Sequence, residues 1–185
     1  MDIEVILSQF NEEDKGIVFA LACFPELFSV DWFPDIKTSR LVSVILIFER
    51  NQWIVPSSEN SGYYCWSEKF PKEEIISAIP RQDLAAYYRD SADILARNMT
   101  DDSAGALTVA RQYVKAGVQE GDLGVILKAA HYEEANHRIS SAIILYDTIL
   151  DFVGKIISPA DRDLPESSWL TFVNAIEHRT SLSLF

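Results

Sequence analysis

Basic side chains are scarce in this chain. It has 16 lysines and arginines against 28 aspartates and glutamates, a formal net charge of −12. That deficit repels a phosphate backbone at long range. It is also spread along the chain: residues 1–60 carry 4 basic and 10 acidic groups, residues 61–100 carry 5 and 6, and residues 101–185 carry 7 and 12. No segment has the concentrated Lys/Arg footprint of a nucleic-acid module. Cysteine is nearly absent. Cys23 and Cys65 lie in apolar or aromatic surroundings with no C-x-x-C partner, which predicts buried, reduced thiols and a cytoplasmic address. Seven glycines and seven prolines exclude collagenous and low-complexity chains. The longest apolar stretches, Ile17–Phe24 and Leu41–Phe48 (interrupted by Ser43), are eight residues each, against the ~20 that span a bilayer. No membrane partner is therefore expected. The opening Met1-Asp2-Ile3-Glu4 has none of the basic charge that begins a secretory signal.

What remains is an ordinary globular composition, 48% hydrophobic over 185 residues. At this length folding buries roughly 70% of the surface an unfolded chain exposes, so neither a metal nor a disulfide is needed for stability. Asn11 before Glu12-Glu13-Asp14 predicts a capped helix that runs to a stop at Pro25. Thr38 or Ser39 can cap a helix from Arg40 to Arg50, with Leu41, Val44, Ile45 and Phe48 at helical spacing. Its β-branched residues make a strand the competing reading, and its length and charged end favour the helix. Trp53-Ile54-Val55 and Tyr63-Tyr64-Cys65-Trp66, joined by a polar loop, predict one β-hairpin. From Phe70 onward the pattern is helical. Segments are expected over 71–79, from Arg81 or Asp83 to Asn98, from 101–103 to Gly117, from Leu123 to Asn136, from Ser140 to Val153 ended by Gly154, and from Pro165 to about Leu184, with Ser158–Ser168 as a loop. Helices of this length with tight turns suit antiparallel pairs.

The run Leu7-Ser8-Gln9-Phe10-Asn11-Glu12-Glu13-Asp14, the core stretch Ala20-Leu21-Ala22-Cys23-Phe24, then Ile47–Val55, the aromatic hairpin and the turn Ile79-Pro80-Arg81 resemble the winged-helix region that follows the nucleotide-binding domain in STAND-class signalling ATPases and related large bacterial transcriptional regulators. Ala130, Ala142 and Tyr146 are similar to the small, small, aromatic positions of the degenerate tetratricopeptide repeats in the same proteins. The Trp and Leu-Gly that open such a repeat, and the proline that ends it, are missing. The resemblance covers roughly residues 3–153. It implies a mainly α fold: a winged-helix-like domain with one β-hairpin over residues 1–79, followed by tetratricopeptide-like antiparallel helical pairs over residues 80–185. The chain lacks a Gly-x-x-x-x-Gly-Lys-Ser/Thr loop, so no nucleotide or other cofactor is expected on it.

Candidate chemistry is sparse. His131-Tyr132-Glu133-Glu134-Ala135-Asn136-His137 places Glu133 and Glu134 four and three residues before His137, half of a ferritin-like Glu-x-x-His motif. Glu177-His178 does not supply the second half, and the segment reads as a solvated face at a helix end. Glu133, Glu134 and His137 are the only candidates for an enzyme. No Gly-x-Ser-x-Gly elbow is present. Trp32, Trp53, Trp66 and Trp169 read as core. The expectation is a non-enzymatic protein-interaction and signal-transmission module of a regulator, binding a protein, a peptide or neighbouring domains. The alternative is a DNA-binding winged-helix transcription factor using Lys37, Arg40 and Arg50, although the charge argues against a nucleic-acid partner.

Overall fold

The structure, a computed structural model, describes residues 3–33, 36–58, 62–99, 103–156 and 165–182. Its contacts divide the chain into two compact units, Met1–Ile94 and Leu95–Phe185, with the division inside one long helix.

In the first unit, α1 (Ile3–Leu7) precedes α2 (Glu12–Ala22). Asn11 caps α2, its Oδ1 accepting from the Asp14 amide at 2.8 Å, a contact worth about 1 kcal/mol. After Pro25 the chain forms a strand that the sequence does not announce, β1 (Leu27–Ser29), and then a 3₁₀ turn over Val30–Trp32. The helix–strand competition over the next segment resolves as α3 (Thr38–Arg50), which buries Leu41, Val44, Ile45 and Phe48. Lys37, rather than Thr38 or Ser39, occupies its N-cap, with no side-chain cap bond. The expected hairpin follows as β2 (Ile54–Pro56) and β3 (Tyr63–Trp66). β3 is central: Cys65 lies opposite Leu27 of β1 on one side and Val55 of β2 on the other, both antiparallel. The hairpin is therefore part of a three-stranded sheet of order β1-β3-β2. The first unit is thus mainly helical, with one small antiparallel sheet in which the first strand is added beside the last.

Aromatic rings fill the space between α3 and the sheet. Trp66 and Phe70 stack at 4.1 Å, and Phe48 meets Phe10 and Trp53 edge-on at 6.0 and 5.6 Å. Trp32 and Trp53 are buried, as the sequence predicts, whereas Trp66 and Trp169 are half-buried. α4 (Lys72–Ala78) packs against α2 and α1. The Lys72 ammonium donates to the carbonyls of Phe24 and Pro25 and lies 5.7 Å from the centre of the Trp66 ring. It thereby satisfies the backbone just past the end of α2. Cys23 is buried and Cys65 half-buried, both as free thiols.

α5 (Arg81–Asn98) spans the division between the units. The second unit contains α6 (Ser103–Ala116), α7 (Leu123–Ala135), α8 (Ile139–Ile156) and α9 (Glu166–Leu182). Each packs on the next, and α7 also touches α9. Gly117, at φ +87°, ends α6 as expected. Gly154 does not end α8, which continues to Ile156. The cost of a helical glycine, about 1 kcal/mol, is outweighed by the buried Ile149 and Val153 beside it. Ala130, Ala142 and Tyr146, the three repeat-like positions, are all completely buried in one cluster with Ile126 and Ile149. Small residues such as these two alanines leave room for paired helices to pack closely, and the tyrosine adds bulk to the same cluster. Among the described residues no helix is long and apolar enough to cross a membrane. Most of the expected loop Ser158–Ser168, and the alternative helix starts expected at Asp101 and Asp102, lie outside the described residues.

Candidate functional site

The acidic-histidine segment at the end of α7 is not the solvated face its composition suggests. Its residues are divided among three tasks. Glu133 is completely buried. Its Oε1 accepts from Arg138 Nη1 at 3.0 Å, and its Oε2 lies 3.8 Å from Arg111 Nη2 of α6. Both arginines keep more than half of their side chains in solvent, so the buried carboxylate is neutralised from the rim. The His137 side chain is exposed. The residue stands at φ +60° just past α7. Its amide donates to the Glu134 carbonyl at 2.9 Å and the Arg138 amide to the Glu133 carbonyl at 2.8 Å. That is a Schellman cap, with histidine in the left-handed position usually held by glycine.

Glu134 does something different. Its Oε2 accepts from the Tyr146 hydroxyl at 2.7 Å and lies 2.9 Å from His178 Nδ1. α8 packs on α7 and brings in Tyr146, one turn after the completely buried Ala142. α9 brings in His178, one turn after the buried Ala175. His131, one turn before Glu134, completes the group: its ring centre is 4.5 Å from that of His178 and 6.0 Å from that of Tyr146. The His131 Nε2 is buried with no hydrogen-bond partner. The four side chains therefore tie three helices at one point.

The electrostatics follow from the geometry. Burial, and then the carboxylate that accepts its proton, raise the pKa of the Tyr146 hydroxyl far above the ordinary phenol value, so it remains a donor. Burial, followed by the neighbouring His178, lowers the pKa of His131 against the smaller opposing pull of Glu134. The carboxylate orients His178 with Nδ1 inward, the arrangement by which an acid fixes an imidazole tautomer. Among the described residues no serine, threonine or cysteine hydrogen-bonds to His178, and no group of three His, Cys, Asp or Glu side chains is placed to hold a metal ion. What the arrangement provides is an inter-helix tie and a place for a proton. An open cleft of about 420 Å³ borders it, lined by Ser103, Lys128, His131 and Tyr132 among others.

The three residues considered for DNA contact lie on α3 of the first unit, and they do not form a set. Lys37 and Arg50 are exposed at opposite ends of the helix. Arg40 is directed back onto α2: its Nη1 is 2.8 Å from Glu13 Oε2 and its Nη2 2.8 Å from Asp14 Oδ1, with Nε also bonded to Asp14. Between them the outer side of α3 presents Ser39, Val42, Ser43 and Leu46, with Val42 43% and Leu46 57% exposed.

The sequence does not announce His178 as part of this group, because Glu177-His178 does not supply the second half of the Glu-x-x-His motif. The available signal was weaker: His131 and Glu134 share one face of α7, and Ala175 stands one turn before His178. No family model, curated protein or solved structure matches the chain.

Proposed function

We propose that this chain is a non-enzymatic protein-interaction and signal-transmission module of a cytoplasmic regulator, of the kind formed by the winged-helix and tetratricopeptide-like region of STAND-class signalling ATPases. The observation that carries the reading is the outer side of α3. A helix that reads a DNA groove presents cations and hydrogen-bonding side chains to bases and phosphates. This one presents Val42 and Leu46, with Arg40 already bound to Glu13 and Asp14. Apolar side chains at i and i+4 gain by being covered with protein and gain nothing from phosphate. The packed helical pairs around Ala130, Ala142 and Tyr146 support the second half of the reading: stacked pairs of this type offer extended surfaces for a peptide, protein or small effector. The DNA-binding alternative rests on Lys37 and Arg50 alone.

The test is selection from a peptide display library against the full chain. Enriched peptides should bind saturably, and binding through the first unit should be lost in Val42→Asp and Leu46→Asp with the thermal midpoint unchanged, because both positions are exposed. Failure to enrich any sequence, or binding indifferent to both substitutions and to changes in the α6–α9 unit, would remove the reading.

A further inference from the structure

α9 is held to α7 through an imidazole pair whose capacity for protons is limited. His178 Nδ1 faces the Glu134 carboxylate at 2.9 Å, and 40% of the His178 side chain remains in solvent. Nδ1 of His178 therefore has an acceptor in the carboxylate. A proton gained by His131 has no such partner: its Nε2 is enclosed without one, and its ring centre is 4.5 Å from that of His178. The single carboxylate between them is already shared with the Tyr146 hydroxyl.

We propose that the His131–His178 pair is a proton-operated latch on α9, closed while His131 is neutral and released when His131 takes up a proton. The other charged groups facing the pair do not remove the conflict. From α7 they are Glu134, already engaged, and Lys128, which lines the same cleft as His131 and adds positive charge. From α8 they are the neutral Tyr146 and Asp147, the latter accepting from Arg179 Nε at 2.8 Å. On α9 itself Glu177 is exposed beside His178. From α6 the described cleft lining contributes Ser103. Among the described residues α9 is also tied by Arg179 to Asp147 of α8 beside the pair and, at its other end, by Ser168 Oγ to Glu120 Oε1 at 2.7 Å. The lowered pKa of His131 agrees in sign: the unfolded imidazole, at about 6.5, takes up a proton before the folded one does. The contribution is complete above that value and is lost as the pH falls below it and through the lowered folded value.

Hydrogen exchange of the full chain at pH 7.5, 6.5, 5.5 and 5.0, corrected for intrinsic rates, tests this. Protection of the amides over residues 170–182 should fall by roughly tenfold relative to the α7–α8 core amides below pH 6.5. In His131→Phe, which has no nitrogen to protonate, that relative fall should be absent. His131→Gln, which keeps a polar group of similar reach, serves in the same role should the phenylalanine variant fail to fold. An unchanged ratio of α9 to core protection in the unmodified chain would overturn the proposal. So would an equal fall in the foldable His131 variant.

Discussion

The hydroxyl of Tyr146 donates to Oε2 of Glu134 at 2.7 Å, joining α8 to α7 at the point where His178 of α9 also arrives. Tyr146 is completely buried, so in Tyr146→Phe the ring would still fill its place while Glu134 would lose a donor. A hydrogen bond to a charged group contributes about 1.5–3 kcal/mol. Urea denaturation should show a loss in that range with an unchanged m-value. A loss below about 0.5 kcal/mol would mean that water replaces the hydroxyl without cost.

The Glu133 ion pair makes an asymmetric prediction. Arg138→Met would leave a completely buried carboxylate with only Arg111, 3.8 Å away. An under-compensated buried charge costs about 3–5 kcal/mol. Glu133→Met removes the buried charge and leaves two arginines that are already largely hydrated, so it should cost distinctly less. Thermal or urea denaturation of the two variants gives the order, and equal losses would contradict it.

Two helices end on left-handed residues that are not glycine: Gln52 at φ +58° after α3 and His137 at φ +60° after α7. In both, the next amide closes back onto the helix, Trp53 to the Phe48 carbonyl at 2.8 Å and Arg138 to that of Glu133 at the same distance. A left-handed conformation costs an ordinary residue about 1–2 kcal/mol, partly offset by the entropy glycine loses on folding. Gln52→Gly and His137→Gly should each stabilise by about 0.5–1 kcal/mol, read as a higher urea midpoint. The His137 change should leave the titration of His131 untouched, since His137 is outside that group.

Arg40 fastens α3 to α2 through Glu13 and Asp14, and the three side chains are 32%, 79% and 15% exposed. Partly exposed pairs are screened, so Arg40→Ala should cost about 1 kcal/mol in low salt and less at 1 M salt. Without salt dependence, the arginine would be acting through the packing of its stem rather than through charge.

Much of this architecture is legible in the amino acids because its signals are local. Asn11 followed by three acids marks the start of α2, Gly117 marks the end of α6, and the aromatic runs mark β2 and β3. The features that escape are non-local. β1 has three residues, too few for an alternating pattern, and exists because Phe28 and its neighbours pair with Tyr64 on β3. Gly154 looks like a terminator but is overruled by the packing of Val153. His178 is 44 residues from Glu134, and only the stacking of α9 brings the two together. Glu133 and Glu134 are adjacent in sequence, yet one is buried against arginines and the other tied to tyrosine and histidine, a division that helical facing decides and composition does not show.

The most direct measurement is a fluorescence-anisotropy titration of a labelled mixed-sequence duplex with the full chain at 50 mM salt, repeated with Arg40→Glu and with Lys37 and Arg50 both changed to Glu. A chain whose α3 displays aliphatic side chains and whose central arginine is already paired should give no saturable binding, and the variants should be indistinguishable from it. Saturable binding that weakens steeply with salt and is lost in the Lys37 and Arg50 double variant would contradict a protein-docking role for this face.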